Sequence, residues 1–158
     1  MMKIPMTLFE KKYLEEELLK LVSIERPSVQ EALHEARALG DLKENADYHA
    51  NKEKQALLEG RILEIQGKLA QGEVIDISKT SSSTIVFGAT VTLFDCSKNK
   101  EVVYTIVGEE EAKLSAFKIS FRSPLAKELI GKKTNDQITI QAPKGELQFI
   151  VKSFTFKS

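Results

Sequence analysis

Three acids recur at intervals of three in the run GDLKENADYHA, residues 40–50: Asp41, Glu44 and Asp47. Residues three apart on a helix share a face, and two carboxylates on one face offer the hard oxygen ligands that Mg2+ takes. That ion keeps several waters and draws further anionic oxygens from a substrate or a partner. Asp41 and Glu44 alone are therefore expected to hold it weakly, until something else completes the shell. The same spacing also describes scaffolding. Asp41 as an N-cap with Glu44 three positions later has the form of a capping box, and acids in a first turn suit the helix dipole. Spacing does not decide between the two readings.

The elements that must position these acids are long. Residues 8–39 are strong helix formers, with Leu14, Leu18, Leu21, Val29, Leu33 and Ala36 keeping mostly to three and four spacing. Pro27 predicts a kink or brief break near Glu25 and Arg26, and itself suits the first position of the next segment. Gly40 ends this helix as a residue able to take positive φ. A second helical pattern follows at once through Ala46, Ala50, Leu57, Leu58, Ile62, Ile65 and Leu69. Two amphipathic helices joined so tightly must run antiparallel and bury their stripes on each other. At 1.5 Å per residue, arms of roughly 30 residues project about 45 Å. A rod with its acids at the far end suits a recessed target. A dimerisation arm is the alternative, but it calls for a continuous outward apolar stripe, and the outward faces read as mostly charged.

Residues 72–84 lose helical spacing and become rich in Ser and Thr, so the expected division is a hairpin arm over 1–78 and a second domain over 79–158. The strand-like runs TIVFGATVTLFD, EVVYTIVG, FKISF, DQITIQA and ELQFIVKSFTF follow, separated by Gly, Asn, Asp, Lys and Pro. One helix interrupts them: in SPLAKELIGK, Ser123 can cap, Pro124 fits the first position and Gly131 supplies the stop. The class is α+β, with several antiparallel strands wrapped on one short helix. Seven of the eight Phe lie in this half and are expected to alternate mostly into its core.

Of the 158 residues, 29% are charged and 42% hydrophobic, a balance that suits a folded protein rather than a disordered one. Cys96 is the sole cysteine, which excludes an internal disulfide and points to a reducing compartment, the cytosol. No run approaches the ~20 apolar residues of a membrane helix, and the N-terminus lacks a signal-peptide pattern. Residues 1–78 hold 11 Lys and Arg against 15 Asp and Glu, a net −4, and the remainder is +4. A dipolar chain is a poor candidate for coating duplex DNA, since that affinity comes from neutralised phosphates.

IPMT near the start, GDLKENADYHA, EGRI, VID, VFGATVTL, the YTIVG run with its acidic sequel and SPLAKELIGK stand in this order along nearly the whole chain. In that combination the sequence resembles the Gre family of bacterial transcript cleavage factors. The resemblance implies an N-terminal antiparallel two-helix coiled-coil hairpin and a small FKBP-like C-terminal domain. It also implies a partner, bacterial RNA polymerase. The C-terminal domain would dock at the rim of the polymerase secondary channel while the hairpin enters toward the active centre. Asp41 and Glu44 would then help hold a second Mg2+ beside one kept by polymerase aspartates, activating a water for attack on backtracked RNA.

By the same resemblance Arg37 and Lys52 would contact the nascent RNA 3′ segment, although either also reads as an ordinary solvated charge. Lys43 is ambiguous in the same way. Asp47 reads as helix surface first, and His49 as structural or exposed before any part near a metal. The net charge of the arm departs from the strongly basic version found in part of the family, which favours action with short RNA fragments released. The factor would be no enzyme by itself, hold no cofactor tightly, have no membrane partner and be a monomer when free. A channel-occupying inhibitor and an FKBP-like binding or chaperone protein remain alternatives. An isomerase needs an aromatic-lined pocket, and none can be constructed from the sequence.

Overall fold

The computed structural model describes residues 3–41 and 44–157. The chain divides into two compact units, Met1–Ile4 with Lys11–Gly72, and Pro5–Glu10 with Glu73–Ser158. Strand β1 (Ile4–Met6) pairs with β2 (Gly72–Val74). Helix α1 (Leu8–Lys20) runs through a π-helical turn (Leu21–Glu25) straight into α2 (Arg26–Ala38).

Of the kink or brief break expected near Glu25 and Arg26, no break forms, and the irregularity there is a π turn. Pro27 has no N–H to donate, and its ring crowds the carbonyl four residues back; the wider π turn just before it takes up that misfit, so the chain keeps winding. Pro27 still stands in the first turn of α2, as expected of it. Ser23 adds to the irregularity, its hydroxyl donating to the Leu19 carbonyl at 2.5 Å.

Helix α3 (Ala46–Gln71) has 26 residues, which at 1.5 Å each is about 39 Å. Val29 and Leu33 of α2 pack with Leu58 and Ile62 of α3, flanked by Leu18, Leu21 and Tyr48. Leu14, Ala36 and Ile65 are buried as well. The stripe on α3 is narrower than expected: Leu57 is 71% exposed, and Ala46 and Ala50 are exposed too. Leu58, Ile62 and Ile65 follow four and three spacing, and Leu57 lies about 100° around the helix from Leu58. Two bidentate ion pairs flank the seam. Arg26 donates to Glu59 at 2.9 and 2.7 Å, and Arg61 to Glu17 at 2.6 and 2.8 Å.

The second unit carries a five-stranded sheet in the order β5-β4-β3-β7-β6. Its strands are β3 (Ala89–Asp95), β4 (Lys100–Val107), β5 (Lys118–Ser120), β6 (Gln137–Ala142) and β7 (Gly145–Phe156). Every strand-like run of the sequence contributes one. The sheet is mixed rather than wholly antiparallel, because β5 lies parallel to β4, with Thr105 opposite Lys118. Between them the chain crosses over through a one-turn helix, α4 (Glu109–Ala112), and a strand reached by a crossover rather than a hairpin enters parallel. That helix is a second one, beside the expected α5 (Pro124–Leu129). Ser123 caps α5 by accepting from the Ala126 amide at 3.3 Å, Pro124 opens it and Gly131 follows at φ +93°.

The core is mainly aliphatic: Ile85, Ala89, Val91, Leu93, Ile106, Ala126, Leu129, Ile138 and Val151 surround one buried phenylalanine, Phe149. The expectation of a Phe-built core is corrected by the others. Phe121, Phe154 and Phe156 lie at its margin, and Phe117 is 68% exposed. Strand β5 covers only Thr105 to Val107 of β4. Beside the remainder of β4 lies an open groove of about 620 Å3 that includes Val103 and the aromatic rings of Tyr104 and Phe117, which the sequence did not bring together. Among the described residues no helix is long and apolar enough to cross a membrane.

Candidate functional site

The hairpin turn is built by two helix ends. Helix α2 closes with Leu39 donating to the Ala36 carbonyl and Gly40 to the Arg37 carbonyl, both at 3.2 Å, and Gly40 takes φ +103°. Helix α3 opens on Asn45, whose backbone is extended and whose Oδ1 accepts from the Tyr48 amide at 2.9 Å. The cap is therefore Asn45, and the capping-box reading of Asp41 and Glu44 is overturned. Both acids precede the helix, on the connecting turn, and both are exposed. Helical spacing does not set their relation either, since only Asp47 of the three lies within α3.

Asn45 makes a second bond, its Nδ2 donating to the Ala36 carbonyl at 2.6 Å. One side-chain amide thus serves an amide left over at the start of α3 and adds a second donor to the Ala36 carbonyl at the end of α2, which also accepts from the Leu39 amide. This residue was missed from sequence. The signal was present: Asn is among the best N-caps and is followed by Asp47 in the first turn. A capping box beginning on Asp41 competed for the same stretch.

Arg37, in the last turn of α2, lies over the Tyr48 ring at 5.8 Å from its centroid, and Tyr48 meets His49 edge-on at 5.6 Å. Arg37 is thereby held beside the turn while remaining exposed. Lys52 is exposed on α3 and donates to Gln55 at 3.2 Å. Asp47 and His49 are exposed near the start of the same helix, and Lys43 lies outside the described residues. Carboxylate oxygens such as those of Asp41 and Glu44 suit Mg2+. Among the described residues no group of three or more His, Cys, Asp or Glu is gathered so that it could hold a metal ion.

Two family models cover the chain. Residues 4–74 match the N-terminal domain of a transcription elongation factor, and residues 80–156 match the C-terminal domain of GreA/GreB. The chain belongs to the GreA/GreB family of transcription elongation factors. Curated relatives bearing the name transcription elongation factor GreA span it almost entirely. That of Ruthia magnifica is 47% identical over 97% of this chain and 98% of its own, and that of Magnetococcus marinus 49% over 98% of each. That of Hyphomonas neptunium is 48% identical over 99% of this chain and all of its own. Among solved structures, Thermus aquaticus Gfh1 aligns over 98% of this chain and 99% of its own at 24% identity and a TM-score of 0.42. Membership in an elongation-factor family does not favour the binding-protein or isomerase reading.

Proposed function

We propose that this family member stimulates Mg2+-dependent cleavage of backtracked nascent RNA by RNA polymerase, with the hairpin turn inserted in the secondary channel. The observation that carries the reading is the position of Asp41 and Glu44: two exposed carboxylates on the turn between long helices, ahead of the residue that caps the second. The capping position of the second helix is filled by Asn45 and not by either acid.

Asp41 and Glu44 would supply part of the oxygen shell of a Mg2+ shared with the polymerase, and Arg37 and Lys52 would face RNA phosphates. When bound, such an ion lowers the cost of generating a nucleophile and of charge on the leaving oxygen. The residues of this chain contribute negative charge that places the ion, and exposed cations that orient the 3′ segment. The chain completes a reaction centre that belongs to the polymerase and is itself no enzyme. The second unit, read as FKBP-like, would dock at the channel rim. A monomer working in the cytoplasm meets these needs.

The test adds the protein and Mg2+ to backtracked elongation complexes carrying 3′-labelled RNA. Short labelled fragments are expected. Asp41→Asn and Glu44→Gln should each lower their rate by about 10²-fold or more while polymerase binding persists. Full-speed release by the doubly neutralised variant would overturn the proposal.

A further inference from the structure

The bridge made by Asn45 has a consequence for the acids beside it. Its carboxamide has one acceptor and one donor group, and here both are used on opposite sides of the turn: Oδ1 receives the Tyr48 amide of α3, and Nδ2 gives to the Ala36 carbonyl of α2. The two partners fix which end of the amide is oxygen, since an N–H can only give and a carbonyl only receive. The first bond is ordinary helix capping, which Ser or Asp would supply as well. The second is not. It ties the last turn of one helix to the first residue before the other, closing the span that carries Asp41 and Glu44, with Glu44 the immediate neighbour of Asn45. The bridge is half-buried beside Tyr48, which packs on the seam and under Arg37. One wall of the turn is therefore joined to the packed part of the hairpin.

We propose that Asn45 is a positioning residue for the tip carboxylates: its bond to Ala36 holds the turn so that Asp41 and Glu44 present their oxygens together, which lowers the Mg2+ concentration that stimulated cleavage requires. This rests on the reading of the tip acids given above. Holding ligand-bearing groups in place ahead of binding removes an ordering cost that would otherwise fall on the bound state. Groups supporting metal ligands from behind commonly alter metal affinity by about 10–100-fold.

Asn45→Ser separates the two bonds. Serine caps a helix as well as asparagine does, but its shorter side chain cannot also span to the Ala36 carbonyl, and it adds no charge. Asn45→Ala removes both bonds. In the free full-length protein, NMR should show the Tyr48 amide still protected from exchange in the serine variant, with backbone order at Asp41 and Glu44 reduced. Helix melting should match the unsubstituted protein. With backtracked complexes, the serine variant should need about tenfold more Mg2+ for half-maximal cleavage and recover most of the rate at saturating Mg2+, with polymerase binding unchanged. The alanine variant should show the same Mg2+ defect plus a frayed α3.

If the serine variant keeps both the tip order and the Mg2+ requirement of the unsubstituted protein, Asn45 is a cap and nothing more, and the proposal is overturned. The doubly neutralised Asp41→Asn, Glu44→Gln variant run in parallel distinguishes the two failures. Should that variant cleave normally, the tip chemistry itself is wrong, whereas its inactivity beside a normal serine variant condemns only the role of Asn45.

Discussion

Thr7 and Glu10 show how a local pattern can be diverted by a distant partner. Thr7 Oγ1 accepts from the Glu10 amide at 3.0 Å, opening α1 as a threonine cap should. In a capping box Glu10 would turn back to the Thr7 amide. Instead its Oε1 accepts from the Glu110 amide at 3.3 Å, at the start of α4, while the Thr7 hydroxyl donates to Glu111. Lys118 completes this buried polar group, 2.9 Å from Glu111 and over the Phe9 ring at 4.7 Å. The arrangement needs a glycine at 108, because a Cβ there would lie 1.8 Å from Glu10 Oε2 and 2.6 Å from its Cδ. Gly108→Ala should therefore cost about 1–3 kcal/mol of stability, measured by urea unfolding, and an unchanged midpoint would show that the carboxylate has room to move.

Helix pairing sets the next scale. The seam between α2 and α3 is thin, so each buried residue matters: Ile62 is 2% exposed and Leu33 3%. Ile62→Ala is expected to destabilise the hairpin by about 2–4 kcal/mol, read as an earlier loss of helical circular dichroism on heating. The Arg26–Glu59 pair beside the seam contributes through pH. The hydrogen bonds from Arg26 hold the Glu59 carboxyl below the usual glutamate range. A group with a lowered folded-state pKa stabilises above its unfolded pKa, and that contribution is lost as pH falls through the folded value. The hairpin should accordingly weaken on acidification below about pH 4. Glu59→Gln should flatten part of that dependence, and an identical acid profile in the variant would show that the pair contributes nothing. Because both partners are only half-buried, the effect should also shrink in high salt.

For the molecule as a whole, the free chain should neither cleave RNA nor bind Mg2+ tightly, because two carboxylates leave most of an octahedral shell to water. Calorimetric titration with Mg2+ is expected to give little heat below millimolar concentrations, and saturable micromolar binding would argue against ligation shared with a polymerase. Asp41 and Glu44 were legible in the sequence as an acidic pair at a turn, since Gly40 marks the end of one helical pattern and Ala46 lies near the start of another. What could not be read was their exclusion from the helix, because choosing Asn45 over Asp41 as the cap depends on a carbonyl nine residues away at Ala36.

The sequence by itself determined the elements whose causes are local. Three and four spacing made the hairpin helices, alternation with turn residues made the five strands, and Ser123, Pro124 and Gly131 bounded α5. Each of those signals acts over a few residues, so no knowledge of the distant chain is needed. Tertiary structure alone decided the rest: the parallel entry of β5, the displacement of Phe117 to the surface, the π turn that replaced a break at Pro27, the reach of Glu10 to α4 and the double bond-making of Asn45. Most of these depend on atoms brought together from far along the chain, as Thr7 and Glu111 are. The π turn reflects a compromise between a proline that resists the helix and a seam that rewards continuing it, a balance struck only once the partner helix is in place.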